Sequence, residues 1–339
     1  MDKHLVLVGG GHAHMTTLLH IGDFVKRGHR VTLVSPSPYQ YYSGMGPGML
    51  SGIYKPQDIR FHVRKMAETA GAAFIEDSVV RVNAGERVLR LKSGRDIPYD
   101  VASFNTGSEV FLEPLAAPRQ DGVIPVKPII NLYKARETIL RESNGKRLNM
   151  VVVGGGAAGV EISANLRRLM RENGRKGNIT LLGGSRLLGG YPDPVRRLVE
   201  KSLERNAINL IEGTHAESVK EGMVNLADTR IIPYDLAFLA TGVKVSSLFA
   251  ESGLPVGDHG ELLVDNHLRS IAHPELFGGG DCIALKSHRL AKVGVYAVRQ
   301  NPILRHNLLA FLEGRPLKIF DPGGAYLLVM NMGDGTGSA

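Results

Sequence analysis

The chain holds one cysteine, Cys282, and no tryptophan in 339 residues. A single thiol excludes an intramolecular disulfide, a dithiol relay and a metal site built on cysteine alone. No stretch approaches the ~18 consecutive apolar residues of a membrane-crossing helix. The N-terminus also enters its first apolar run, Leu5–Val8, without the longer hydrophobic region of a signal peptide. A cytoplasmic location is the expectation from these absences. No aromatic-rich basic motif of the kind that reads nucleic acid is present either.

What the chain has in excess is glycine, at 41 residues, much of it in short clusters after apolar runs. That distribution suits tight strand-to-helix turns better than a flexible linker. Mean hydropathy is −0.05, ordinary for a globular protein, and the length suits about two domains. Basic residues outnumber acidic ones by 41 to 33, for a net charge of +8, which favours phosphate-bearing ligands or an anionic membrane surface. The densest basic groups are Arg167, Arg168, Arg171, Arg175 and Lys176, then Arg196, Arg197, Lys201 and Arg205. Their helical spacing among apolar residues reads as solvated helix faces, with a peripheral membrane patch as the alternative.

The chain is written twice. Leu5-Val-Leu-Val-Gly-Gly-Gly returns as Met150-Val-Val-Val-Gly-Gly-Gly, and Ile97-Pro-Tyr-Asp-Val-Ala-Ser-Phe-Asn-Thr-Gly returns as Ile232-Pro-Tyr-Asp-Leu-Ala-Phe-Leu-Ala-Thr-Gly. Two matches in the same order indicate a duplicated α/β nucleotide-binding fold. In the first copy the pattern predicts strands at Leu5–Val8 and Arg30–Val34 around a helix at Ala13–Lys26. In the second it predicts strands at Val151–Val153 and Asn178–Leu182 around a helix at Ala157–Glu172. Strands Val101–Phe104 and Leu236–Leu239 close the two units. A late segment from His273 through Gly280-Asp281, followed by a helix at Val295–Glu313, has no counterpart between the repeats. One domain is therefore expected to be discontinuous, with the other inserted in it.

The second copy carries the orthodox spacing Gly154-x-Gly156-x-x-Gly159. The first glycine permits the tight turn, the second lets a pyrophosphate approach the backbone, and the third lets helix and strand pack closely. The phosphate then meets amides at the positive end of a helix. In the first copy Gly9 and Gly11 are followed by His12, Ala13 and His14, with His14 where the packing glycine belongs. Two histidines two apart on a helix make a poor bidentate site, and no Cys, Asp or Glu lies nearby, so no metal is expected. His12 is read as lining the turn and His14 as a variant packing residue. Neither copy supplies the acid that grips the adenosine ribose: Ser35-Pro36 follows one second strand, and Gly183-Gly-Ser185-Arg186 follows the other. Arg186 is either a partner for a 2′-phosphate or an exposed loop arginine, which leaves NADH and NADPH both open.

Two dinucleotide folds, paired Thr-Gly strands, and a late Gly280-Asp281 followed by Lys292-Val-Gly-Val-Tyr-Ala-Val resemble the pyridine nucleotide-disulfide oxidoreductase superfamily. The resemblance spans roughly residues 4 to 335. Within it, the closer likeness is to type II NADH dehydrogenase-like flavoproteins. Gly9-Gly-Gly-His-Ala-His and Tyr42-Ser-Gly-Met-Gly-Pro-Gly look most like the dehydrogenase-like domain sometimes fused to selenide, water dikinase. The resemblance implies two Rossmann-like domains: an FAD-binding one at residues 1–110 and 246–339, and an NAD(P)-binding one at 111–245. It implies FAD contacts from Gly9, Gly11, His12, Ala13, Ser35, Pro36, Ser43, Gly44, Thr106, Gly107, Gly280, Asp281, Lys292, Val293 and Gly294. For NAD(P) it implies Gly154, Gly156, Gly159, Glu161, Arg186, Thr241 and Gly242.

The expected activity is an FAD-dependent NAD(P)H dehydrogenase passing electrons to a quinone-like or other small acceptor, without the cysteine relay used elsewhere in the superfamily. The alternatives are a sulfur- or selenium-linked flavoprotein reductase and a non-catalytic FAD-binding redox module. Superfamily members usually continue beyond the segment corresponding to Tyr326–Met330. A form shortened there, or one without a membrane anchor, is expected for a chain ending in Gly333-Asp-Gly-Thr-Gly-Ser-Ala.

Overall fold

Short apolar runs bounded by glycine become strands covered on both faces. In the computed structural model, which describes residues 2–111, 115, 121–142, 145–335 and 337–338, ten such strands build two parallel sheets. In chain order they are β1 (His4–Val8), β2 (Arg30–Ser35), β3 (Ala73–Glu76), β4 (Val101–Phe104), β5 (Val123–Pro125), β6 (Leu148–Val153), β7 (Gly177–Leu182), β8 (Asn209–Ile211), β9 (Leu236–Leu239) and β10 (Leu276–Gly278). The helices that matter below are α1 (Met15–Leu19), α2 (Ile21–Val25), α3 (Gly46–Ser51), α4 (Ile130–Glu142), α5 (Ala157–Glu172), α6 (Asp193–Arg205) and α7 (Gly294–Leu312). The chain forms two compact units, one of residues 1–40, 60–109 and 244–326, the other of 41–59, 110–243 and 327–339.

The first sheet runs β10-β4-β1-β2-β3 and the second β5-β9-β6-β7-β8. Stripped of labels, each is third-second-first-fourth plus one more strand beyond the fourth. That extra strand comes late in the first unit, as β10, and early in the second, as β5. Leu276 pairs with Ala102 in one, and Val123 with Ala237 in the other. The late segment thus has a spatial counterpart, Val123–Pro125, that carries no sequence likeness to it. Each unit also holds a three-stranded antiparallel sheet, Val79–Asn83, Val88–Leu91 and Asp96–Pro98 in the first, and Ala216–Lys220, Met223–Leu226 and Ile231–Pro233 in the second.

The repeated Pro-Tyr-Asp explains itself at the start of each sheet. The Asp100 carboxylate accepts the His4 amide at 2.6 Å, and the Asp235 carboxylate accepts the Asn149 amide at 2.7 Å. The two aspartate amides donate back to the His4 and Asn149 carbonyls. Each aspartate therefore satisfies the backbone where its central strand begins, and each preceding tyrosine, Tyr99 or Tyr234, is buried.

Leu5, Leu7, Leu33, Phe104 and Phe277 are fully buried in the first core, where the Phe104 and Phe249 rings meet edge to face at 5.2 Å. Burial of each such side chain contributes roughly 1.5–3 kcal/mol. The second core gathers Val151, Val152, Leu181 and Phe238 with Leu166, Leu169 and Met170, which recur along one face of α5. Part of the basic cluster on α5 is structural: Arg167 donates to the carbonyls of Gly177 and Ala207, and Arg168 and Arg171 donate to that of Gly333.

Three expectations need adjusting. The helix at Ala13–Lys26 is a 3-10 turn at His12–His14, then α1, then α2. The break comes at His20, whose ring Nδ1 donates to the Thr16 carbonyl while its backbone leaves the helical region. Residues 41–59 pack with the second unit rather than the first, because Met49 and Leu50 of α3 are buried in its core and α3 lies against α4 and α5. Residues 327–339 follow them there, since Met330 and Met332 are buried in the same core.

Asp235→Ala leaves the Asn149 amide without its acceptor where β6 begins. A loss of roughly 1–3 kcal/mol is expected, read as a lower melting temperature, and an unchanged melting temperature contradicts the role given to the repeated aspartate.

Candidate dinucleotide-binding sites

The second unit shows what its three glycines are for. Gly154 takes φ +135°, and a Cβ there would lie 2.2 Å from the Ala240 carbonyl oxygen. A Cβ on Gly159 would lie 1.8 Å from the Gly154 oxygen, so helix and turn meet backbone to backbone. Gly156, the residue capping α5, is different: nothing lies within 4 Å of the Cβ it lacks. Its open side is a space beside the first-turn amides of α5, which have no intrahelical partner. That cradle fits the pyrophosphate of a dinucleotide.

Other predicted residues surround this turn in different ways. Glu161 lies one turn into α5, its carboxylate accepting the Asn331 amide at 2.8 Å. Burial raises its pKa above the usual carboxylate range, and the amide bond opposes that shift. Thr241 and Gly242 follow β9, and both hold Phe111: the Thr241 hydroxyl donates to the Phe111 carbonyl at 2.9 Å, and the Phe111 amide donates to Gly242. Arg186 is exposed and ion-paired with Asp193 at the start of α6. Sequence reading missed Glu212, at the end of β8. Its side chain packs beside Gly183, accepts the Leu187 amide and pairs with Arg196 at 3.3 Å. A carboxylate one strand further on carries no fixed spacing from the glycine turn, so no sequence signal marks it.

The first unit repeats the turn with altered parts. Gly9 takes φ +87°, and a Cβ there would come within 2.3 Å of the Asn105 oxygen, the same close approach as in the second unit. Where the second unit packs Gly159 on the turn carbonyl, the first inserts an imidazole. His14 is fully buried, its Nδ1 lying 2.7 Å from the Gly9 oxygen and its Nε2 2.8 Å from the Ser103 hydroxyl. A carbonyl only accepts, so Nδ1 carries the proton and Nε2 accepts from Ser103. Burial pushes the His14 pKa down from 6.5 to about 4, against the opposing pull of the Gly9 bond. Among the described residues no group of three or more His, Cys, Asp or Glu is placed to hold a metal ion.

Around this turn the first unit brings together most of the residues assigned to FAD. Ala13 is buried beside Gly279, Ser35 ends β2, and Thr106 and Gly107 follow β4, with open space before Gly107 at φ +72°. The His12 ring meets Phe61 edge to face, and Pro36 is exposed. Asp281 is held by the Ser108 hydroxyl at 2.6 Å, in a turn whose Gly280 amide donates to Gln300. Lys292 faces inward: its ammonium donates to the carbonyls of Asp281 and Ile283, at 2.7 and 3.0 Å, and pairs with buried Glu261 at 2.9 Å. It therefore braces the Asp281 turn, while Val293 caps α7 and Gly294 opens it. A small cavity lies between Asp281, Lys292, Val293 and Tyr296. Ser43 and Gly44 are exposed in a 3-10 turn of the second unit, and so belong to a different body from the other FAD candidates. Cys282 is fully buried, its sulfur against the Phe104 and Gly279 carbonyls, and burial raises its thiol pKa.

Two predictions follow from these turns. His14 is held neutral in the fold, so the stability it confers is complete above pH 6.5 and declines as pH falls toward 4, by about 3 kcal/mol in all. Melting temperature measured across that window should fall less steeply for His14→Gln than for the parent, and parallel curves contradict the assignment. Gly156→Val fills only the open side of its cradle, at a cost of about 1 kcal/mol in capping. It should abolish dinucleotide binding at this turn while leaving the protein folded, as calorimetric titration and circular dichroism report.

Comparison with known proteins accords with this geometry. The family model described as pyridine nucleotide-disulphide oxidoreductase matches residues 3–301. The chain is 28% identical to ferroptosis suppressor protein 1 of Taeniopygia guttata over 307 residues, 85% of this chain and 75% of that one. It is 24% identical to the type II NADH:quinone oxidoreductase of Haemophilus influenzae over 366 residues, covering 94% and 82%. Among solved structures, putidaredoxin reductase in its covalent complex with putidaredoxin shares the fold, with a TM-score of 0.81 and 18% identity over 98% of this chain and 80% of that one. The chain belongs to the pyridine nucleotide-disulphide oxidoreductase family, whose members are FAD-dependent NAD(P)H oxidoreductases.

Proposed function

We propose that the first unit holds FAD, that the second presents NADH or NADPH, and that electrons pass onward to a quinone-like or other small acceptor with no thiol step. One observation carries the last part: Cys282, the only cysteine, is buried with its sulfur against backbone carbonyls and its thiol form favoured. The assignment of FAD to the first unit rests on the residues after β10, Gly279-Gly280-Asp281, where the second unit has Val126-Lys127-Pro128 after the counterpart strand β5. Bound FAD supplies the hydride-accepting and electron-donating chemistry.

The chain's own residues supply position and charge. The turn at Gly9–Gly11 and the amides that follow it face the pyrophosphate. Asp281, oriented by Ser108 and by the Lys292 brace on its own carbonyl, accepts a hydroxyl of the ribityl chain. The first-turn amides of α7, beginning at Gly294, turn positive partial charge toward the ligand. In the second unit the cradle at Gly156 takes the nicotinamide nucleotide's pyrophosphate, and Glu161 stands one turn away on α5. The hydride chemistry that FAD would supply needs no acid or base from the protein, so none is assigned.

No described helix is long and apolar enough to cross a membrane. A peripheral contact through the basic residues of α5 and α6, at the inner face of a membrane, is the placement that suits a quinone-like acceptor, with a cytoplasmic protein as its setting.

Purified protein should carry flavin bands near about 370 and 450 nm. Anaerobic addition of NADH or NADPH should bleach the longer-wavelength band, and added quinone should restore it. Bleaching with neither nucleotide rejects the dehydrogenase and leaves a non-catalytic flavin module. Reoxidation by sulfur or selenium species but not by quinones replaces the acceptor.

A further inference from the structure

The two copies make the same backbone contacts at the end of the fourth strand, and Asn105 in the first stands where Ala240 stands in the second. The Asn105 amide donates to the Val8 carbonyl at 2.8 Å, and the Ala240 amide donates to that of Val153 at 2.9 Å. Both residues press their own carbonyls against the first glycine of the turn. Yet the space in front of Gly156 is open, whereas a Cβ on Gly11 would lie 2.2 Å from Asn105 Oδ1. What fills the first cradle's flank is the Asn105 carboxamide, itself buried. Its Oδ1 accepts the Ala13 amide at 3.0 Å, and its Nδ2 donates to the Gly279 carbonyl at 2.6 Å. The two partners fix which end is oxygen, since an amide only donates and a carbonyl only accepts.

Ala13 lies in the helical turn after the dinucleotide glycines, and Gly279 precedes Gly280 and Asp281. One side chain therefore spans the two turns assigned above to opposite parts of FAD. Gly280, at φ +75°, has to be glycine partly for this reason: a Cβ there would lie 2.5 Å from Asn105 Nδ2. Gln300 completes the hold, accepting the Gly280 amide at 2.7 Å from α7. In the second unit the segment after β5, the counterpart of β10, is Val126-Lys127-Pro128, with neither the glycines nor the aspartate, and at the position matching Asn105 stands Ala240, which can make neither bond.

We propose that Asn105 is a positioning residue for FAD: it locks the pyrophosphate turn to the Asp281 turn, and it is the substitution that makes the first copy an FAD site rather than a second nicotinamide site. This rests on the assignment of FAD to the first unit. Asparagine is required because the link needs one donor and one acceptor on the same short side chain. Aspartate keeps the shape and the acceptor but loses the donor and places a negative charge against the Gly279 carbonyl.

The test titrates FAD into flavin-depleted wild type, Asn105→Asp and Asn105→Ala, following the quenching of flavin fluorescence. It also records the visible circular dichroism of the bound flavin, with NADPH and NADH binding to the second unit as the check on folding. The Kd for FAD should rise at least about tenfold in both variants. The flavin dichroism should change shape, and nicotinamide-nucleotide affinity should stay within about twofold of wild type. Asn105→Asp, which preserves size, carries the test if Asn105→Ala does not fold. Variants that melt at lower temperature but bind FAD with wild-type Kd and dichroism show a merely structural asparagine and overturn the proposal. So does loss of nicotinamide-nucleotide binding in both. Wild type that takes up no FAD at all rejects the assignment of the first unit itself, a result distinct from either.

Discussion

Each unit depends on one close approach, between the first glycine of its turn and the carbonyl that ends its fourth strand. Only a residue without a Cβ, at positive φ, allows the chain to leave β1 or β6 so near Asn105 or Ala240. The turn that results leaves a carbonyl, of Gly9 or Gly154, pointing back into the protein beneath the helix that follows. The second unit meets that carbonyl with the bare backbone of Gly159. The first meets it with the imidazole of His14, and Ser103 completes the imidazole's hydrogen bonding. Helix, sheet and cradle are arranged around that difference.

From it comes a division of labour between two copies of one design. The second unit keeps its cradle open beside Gly156 and ties Glu161 to the Asn331 amide. The first closes its flank with Asn105, which also holds the Gly279–Asp281 turn that follows β10. The ion pair of half-buried Lys292 with buried Glu261 serves that turn, since every direction of the ammonium is taken by a carbonyl or carboxylate. Such a pair contributes little net stability once desolvation is counted. What it gives is a fixed position for Asp281.

Much of this was legible in the sequence. Internal repetition supplied the two sheets, and α5 and the strands β4 and β9 have the bounds the pattern predicts. Three things were hidden, each for a physical reason. The counterpart of β10 is β5, a three-residue strand with no motif, because a strand at that position needs only to be apolar and extended. The second unit's claim on residues 41–59 follows from where Met49 and Leu50 are buried, which no local spacing encodes. The inward turn of Lys292 could not be read from a motif that suggested a ligand contact, because its partner Glu261 lies thirty-one residues earlier, outside the motif. His14 was the opposite case. Its place in the repeat identified it as a packing variant, and the geometry added only its two partners.

The central claim is that the copies have diverged into an FAD site and a nicotinamide site. Amide hydrogen exchange resolved along the chain tests it most directly, with each nucleotide added separately to flavin-depleted protein. The account predicts that FAD slows exchange at residues 9–14 and 279–281, and that NADH or NADPH slows it at 154–161. Protection of 154–161 by FAD, with 9–14 unaffected, would contradict it.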